Sequence, residues 1–153
     1  MSALFLGKIP VRLAVAKTTM GIAASDSAAH LLSVGRKRMH EASIAKAILD
    51  AVEDHCRTAG IDVVVSRVHV RIGALSAVVP DSLEFAFSVM KAETRCSDAS
   101  LEWEEVPLVV ACQECGASTN LDSPIFICGS CGAHNVTVAS GRELELTSFD
   151  VRE

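Results

Sequence analysis

Cys112-Gln113-Glu114-Cys115-Gly116 and Cys128-Gly129-Ser130-Cys131-Gly132 are two CxxCG motifs with twelve residues between Cys115 and Cys128. Each motif presents two thiolates on one tight turn, and two such motifs can close a tetrahedral four-cysteine site. The glycine after each second cysteine permits a positive φ, so the chain can turn away without strain. Zn2+ prefers this ligand set. The pair therefore predicts a zinc site at Cys112, Cys115, Cys128 and Cys131.

The same four cysteines have two other interpretations, as two disulfides or as two redox-active CxxC pairs. Disulfides need an oxidising compartment, and the apolar residues near the N-terminus are interrupted by Lys8, Arg12 and Lys17, which does not favour a secretory signal. A redox CxxC pair usually follows a strand at a helix N-terminus, whereas two equivalent motifs here flank one loop. Four thiolates leave no open coordination position, so we expect structural zinc in a cytoplasmic protein.

Charge and hydropathy limit the function further. The 153 residues carry a formal charge of -5, but residues 1–38 hold six basic residues against one acidic residue, so the rest of the chain is strongly acidic. Residues 106–139, which hold the four cysteines of the motifs, contain no Lys or Arg. Binding to nucleic acid needs clustered basic residues, so we expect no nucleic-acid partner. No apolar run approaches the length of a membrane span, so we expect no membrane partner either.

Residues 1–38 differ from the rest of the chain. They are small and basic, and they show no sustained helix or strand period. Three interpretations compete, namely a targeting peptide, a disordered basic arm and an error in the assigned start site. We favour translation from Met39 because of the residues that follow it.

The remaining pattern predicts an α+β fold. Apolar residues recur at helical spacing from Glu41 to Ala59, with Gly60 as the C-cap, and a second helix is expected from an Asp81 N-cap to about Glu93. Alternation predicts three strands, over 63–72, 99–107 and 142–151. We expect two helices on a small three-stranded sheet, built from residues 39–105 and 140–153, with a zinc-ribbon-like module inserted at 106–139.

Met39 and His40 form a second candidate metal site. If Met39 is the first residue, its free α-amine, the His40 amide nitrogen and the His40 imidazole form consecutive chelate rings, and Glu41 adds a nearby carboxylate. Nitrogen-rich sites favour Ni2+ or Cu2+ over Mg2+ or Ca2+. A lone histidine near a terminus is more often only a solvated residue, so this hypothesis depends on the rest of the chain.

Five segments in combination are specific. They are Met39-His40-Glu41 with the helix after it, Arg71-Ile72-Gly73-Ala74-Leu75-Ser76, Pro80-Asp81-Ser82-Leu83-Glu84-Phe85-Ala86-Phe87, the paired CxxC motifs and Gly141-Arg142-Glu143-Leu144-Glu145-Leu146. Together they closely resemble the HypA/HybF family of nickel metallochaperones for the maturation of nickel–iron hydrogenases. The resemblance covers Met39 to the C-terminus.

The resemblance implies that His40 and the amine of Met39 bind Ni2+ with Glu41 close by, and that the four cysteines bind zinc. It also implies a non-enzymatic carrier that delivers Ni2+ to the hydrogenase large subunit with the GTPase HypB, while some members serve urease. Homodimerisation and the client enzyme stay open. As numbered, 38 residues precede Met39 and its amine lies in a peptide bond, so the nickel assignment depends on the start site.

The other candidate functions and site residues have weaker support in the sequence. A zinc-ribbon adaptor for protein–protein contacts is the alternative function, and a small hydrolase, the third, lacks a nucleophile–base pair. His134 lies close enough to Cys131 in sequence to reach the zinc, but the complete cysteine set makes it a surface group. We assign no function to four further residues, which are His55, Cys56, His69 and Cys96.

Overall fold

The computed structural model describes residues 7–15 and 41–152. Seven strands and two helices follow one another within these ranges. In chain order they are β1 (Gly7–Ala14), α1 (Glu41–Ala59), β2 (Val64–Gly73), α2 (Pro80–Met90), β3 (Ser100–Val106), β4 (Val109–Cys112), β5 (Ser118–Asn120), β6 (Val136–Ser140) and β7 (Leu144–Arg152). A short 3-10 turn, Lys91–Glu93, continues α2.

The strands form two sheets. The larger sheet has the order β1-β7-β2-β3, in which β7 is antiparallel to both neighbours and β2 is parallel to β3. The connection from β2 to β3 runs through α2, as parallel neighbours require. The smaller sheet is antiparallel with the order β5-β4-β6, and it is inserted between β3 and β7. The α+β prediction is therefore confirmed.

The predicted three-stranded sheet is wrong by one strand. Gly7–Ala14, which the sequence pattern left outside the fold, pairs with β7 from Gly7 opposite Val151 to Ala14 opposite Glu145. The expectation that residues 1–38 lack a strand period is therefore wrong, since Ile9, Val11 and Leu13 alternate with Lys8, Pro10 and Arg12. The run is short and contains a proline, which is unfavourable inside a sheet and is tolerated here because β1 is an edge strand. The edge strand next to β7 therefore comes from the opposite end of the chain.

The hydrophobic core lies between the helices and one face of the larger sheet. From α1 it takes Ile44, Ile48 and Val52, which are almost fully buried and recur at the predicted spacing. The sheet contributes alternate residues of β2 and β7, among them Val68 and Phe149. Burial of each such side chain contributes about 1.5–3 kcal/mol. This core fixes which face of α1 lies against the sheet.

The ends of the helices follow local chemistry. Gly60 has φ +66° and its neighbour Ile61 donates its N–H to the carbonyl of Cys56 (2.9 Å), so the predicted C-cap is confirmed. The predicted Asp81 N-cap is wrong: α2 begins at Pro80, and its N-cap is Val79, which has no side-chain oxygen to offer. A proline at the first helical position needs no N–H partner, so the helix starts one residue before the acid.

Candidate metal centre

The two CxxCG motifs form turns with the same hydrogen bonds. Gly116 donates its N–H to the carbonyl of Cys112 (3.1 Å), as Gly132 does to that of Cys128 (2.9 Å). The two glycines have φ +72° and +73°, as the sequence predicted. Glu114 N–H points at the Cys112 sulfur and Ser130 N–H at the Cys128 sulfur, both at 3.4 Å. Each turn therefore presents its sulfurs on one side and supplies an N–H that stabilises a thiolate.

The turns face each other and bring four sulfurs together. The Sγ atoms of Cys112 and Cys131 lie 3.7 Å apart, those of Cys115 and Cys128 lie 3.6 Å apart, and all four lie within 4.8 Å of one another. These separations are too long for disulfides, and the cysteines are free. A tetrahedron of sulfurs about 2.3 Å from Zn2+ has edges of about 3.8 Å. The donor set and its spacing therefore fit Zn2+.

The electrostatics of the cluster also call for a cation. Backbone N–H groups of Cys131 and Ser130 lower the pKa of the Cys128 thiol to about 6. At Cys131 a backbone bond from Ala133 lowers the pKa, but the thiols of Cys115 and Cys128 outweigh it and raise the pKa to about 12. Sulfurs this close cannot all ionise on their own, and a divalent metal removes that conflict.

The cluster is half-enclosed. Cys112 and Cys128 are buried, while Cys115 and Cys131 are exposed. Asn135 supports the first turn, since its side-chain amide donates to Glu114 (2.9 Å) and its carbonyl accepts the N–H of Gln113 (2.9 Å). His134 is exposed and is not among the clustered ligands of the described residues. Four thiolates complete the shell without it.

The second candidate site is described only in part. Met39 and His40 lie outside the described residues. Glu41 is the first residue of α1, and its Oε1 accepts the N–H of Val79 (3.4 Å). The backbone N–H that α2 leaves unpaired at its N-cap is thus bonded by the carboxylate that was predicted to lie near nickel. The starts of both helices meet at this corner of the fold.

The remaining histidines and cysteines have structural surroundings. His55 packs edge-on against Phe149 with ring centroids 5.7 Å apart. His69 lies on the outer face of the sheet between two carboxylates, with Nε2 3.2 Å from Asp150 and Nδ1 3.4 Å from Glu102. Cys56 and Cys96 are buried in the core. Burial raises the pKa of the Cys96 thiol to about 12, so this sulfur is a neutral core group.

A small α+β protein with a four-thiolate metal centre is the class that fold and site define. The profile described as "Hydrogenase/urease nickel incorporation, metallochaperone, hypA" matches residues 39–151. A "Hydrogenase maturation factor HypA" of Chloroflexus aurantiacus is 42% identical over 113 residues, which are 73% of this chain and 98% of that protein. One from Desulfosudis oleivorans is 37% identical over 115 residues, 75% of this chain and all of that protein.

Solved structures agree with these matches. The "Solution structure of the Ni metallochaperone HypA from Helicobacter pylori" superposes with a TM-score of 0.55 at 26% identity, over 74% of this chain and 97% of that one. The chain belongs to the HypA family of hydrogenase/urease nickel incorporation metallochaperones. This family consists of metal carriers and is not enzymatic. Neither described helix has the length and apolarity that crossing a membrane requires.

Proposed function

We propose that this protein carries Ni2+ to the large subunit of a nickel–iron hydrogenase during maturation, through His40 and the α-amine of Met39. The family profile carries this proposal, because its first matched residue is Met39. A chain that begins there has an amine, an amide nitrogen and an imidazole in one chelating run, which is the donor set that Ni2+ favours. Translation from Met39, or removal of residues 1–38, creates that amine.

The zinc centre has a separate, structural part in this proposal. Cys112, Cys115, Cys128 and Cys131 hold Zn2+ permanently and leave it no free coordination position. The module of residues 106–139 keeps its own metal while nickel loads and leaves at the other end of the chain. Thiolates and nitrogen donors select different metals, so each ion has its own site.

We propose a cytoplasmic setting and two protein partners. Four free cysteines in one cluster suit a reducing compartment. The partners are a HypB-type GTPase and the metal-receiving enzyme, and the family description leaves both hydrogenase and urease open as the client.

Three proteins test the nickel site. One starts at Met39, one carries residues 1–38, and one starts at Met39 with His40→Ala. Losing the imidazole or acylating the amine removes a strong nitrogen donor, so we expect calorimetric titration to show nickel binding at least tenfold weaker in the second and third proteins, roughly the loss of one ligand.

Zinc content serves as the internal control. It should be the same in all three proteins, and one equivalent of Ni2+ should leave it unchanged, because the two CxxCG turns belong to the module of the smaller sheet. If the extended protein binds Ni2+ as tightly as the Met39-start protein, the amine is not a ligand. If Ni2+ displaces zinc stoichiometrically, the division of the two metals between two sites is wrong.

A further inference from the structure

The edge of β7 that faces away from β2 is covered by the chain's own N-terminal strand. β1 pairs with β7 along nearly its whole length, and Val15, just after β1, donates its N–H to the carbonyl of Leu144 (2.8 Å). This segment precedes residue 39, where the family profile begins. The part of the chain that matches the family therefore ends in a strand whose outer edge is satisfied by residues from outside that part.

Side chains on β1 fit this edge. Ile9 and Val11 point to the core, where Val11 is 8% exposed and Ile9 packs against the buried cluster. Lys8 and Pro10 alternate with them and are exposed. In register, Ile9 lies opposite Phe149 and Lys8 lies opposite Asp150. Apolar residues thus meet the core side of β7, and a cation stands across from an acid on the other side.

β1 is itself built to be an edge. It contains Pro10, which cannot donate to a further strand, and a bulge in which Val11 and Arg12 stand against the single residue Thr147. Prolines and bulges are features by which edge strands avoid further pairing. β7 has no proline and has nine residues. When β1 covers β7, the exposed edge of the sheet is β1, which disfavours pairing with a further strand, instead of β7, which can pair with one.

We propose that the outer edge of β7 is a site for an extended peptide segment, and that residues 7–14 occupy it in cis. A chain that starts at Met39 presents this site open, to a segment with alternating apolar residues and a basic residue opposite Asp150. The inference shares one assumption with the proposed function, namely that a Met39-start chain exists, because the same boundary frees the amine and uncovers the edge.

The charges on β7 favour such a segment over a second copy of the chain. In an antiparallel pair of two β7 strands, the register that sets Leu146 against Phe149 also sets Glu145 against Asp150. Like charges directly opposite one another destabilise a strand pair. With β1 in place these acids stand opposite Ala14 and Lys8, and on their other side they have Arg71 and Arg67 of β2 as neighbours. The edge therefore favours a strand that places a neutral or basic residue, and no acid, at these two positions.

Peptide binding to the Met39-start protein tests the site. This protein contains the part of the chain that the family profile matches. The Helicobacter pylori structure has a similar fold, and the match covers 97% of that structure and 74% of this chain. A fluorescent peptide of residues 7–15 should bind it saturably and should slow hydrogen exchange of the β7 amides. The Val11→Asp peptide should bind at least about tenfold more weakly, since it would bury a carboxylate in the core. A Lys8→Glu peptide should lose about two- to fivefold.

The full chain supplies the matched controls. Unmodified, it should not bind the peptide, because β1 already fills the edge. Full-length Val11→Asp should release β1 and bind the wild-type peptide, while unchanged fluorescence of Trp103, which lies in β3 of the same sheet, shows that the rest of that sheet remains folded. Equal binding, or no binding, in the full-length and Met39-start proteins would overturn the inference. So would a Met39-start dimer that saturating peptide does not dissociate.

The nickel titration of the same Met39-start protein keeps the two proposals apart. Peptide binding without nickel binding would remove the proposed nickel site and leave the strand site in place. Nickel binding without peptide binding would remove the proposed strand site and leave the nickel site in place.

Discussion

Gly73→Ala should be among the most destabilising single changes in this protein. Gly73 is the last residue of β2, and it lies against Gly141, where the chain returns from the smaller sheet. A Cβ at Gly73 would stand 2.3 Å from both the carbonyl carbon and the carbonyl oxygen of Gly141, and 2.6 Å from the backbone nitrogen of Arg142. These are backbone atoms, so no side chain can rotate to make room. The two segments must separate.

The cost follows from what separation breaks. Gly73 donates its N–H to the carbonyl of Glu143 (2.7 Å), and Leu75 donates to that of Gly141 (2.6 Å). Overpacking costs about 1–3 kcal/mol and each lost hydrogen bond costs about 1 kcal/mol more, so we expect a loss of about 3–5 kcal/mol. For a chain of this size that lowers the Tm by about 6–20 °C.

Gly60→Ala is the matched control. Gly60 has φ +66°, and a Cβ there would meet nothing within 4 Å. Replacing Gly60 by alanine should lower the free energy of unfolding only by the strain of the left-handed backbone, about 1–2 kcal/mol. Urea unfolding of both variants can be followed by the fluorescence of Trp103, the single tryptophan, which pairs with Val70 of β2. If Gly73→Ala loses no more stability than Gly60→Ala, the close contact at Gly141 is wrong.

Two further predictions concern the cysteines. Cys112→Ala should unfold the zinc module and leave the larger sheet folded, because metal binding supplies on the order of 10–16 kcal/mol to the folding of such modules. An NMR spectrum in which the module stays folded after a chelator has removed the zinc would contradict this. The Cys96 thiol has a pKa of about 12 in the fold against an ordinary 9.0, so its contribution to stability is complete below pH 9 and falls as the pH rises toward 12; urea midpoints of the wild type should decline over that range more steeply than those of Cys96→Ala.

Local patterns in the sequence predicted the elements whose partners are set by their own periodicity. The bounds of α1 follow from apolar residues at i and i+4 spacing and from Gly60, and the structure places the helix at the predicted Glu41–Ala59. The four-cysteine cluster was predicted from equally short segments, because the CxxCG motif alone defines each of the two turns. In each case a few neighbouring residues decide the geometry.

Features that depend on distant partners were missed. β1 is held by β7 from the other end of the chain, and although its apolar and polar residues alternate, nothing in its own sequence indicates that partner. The sequence also does not show which apolar residues of α2 stay exposed, since Leu83 and Phe87 are buried while Phe85 is 71% exposed. Helical spacing alone cannot say how much of a face another element covers.

Glu41 shows how the fold bears on the nickel hypothesis. The sequence placed its carboxylate beside His40 as an added donor, but the structure gives that carboxylate a partner, the N–H of Val79 at the N-cap of α2. Val79 has no side-chain oxygen with which to cap the helix, so Glu41 performs this task from α1. A carboxylate with two oxygens can retain this hydrogen bond through Oε1 and still offer Oε2 to a cation. A cation bound by Oε2 of Glu41 would therefore lie where the starts of the two helices meet.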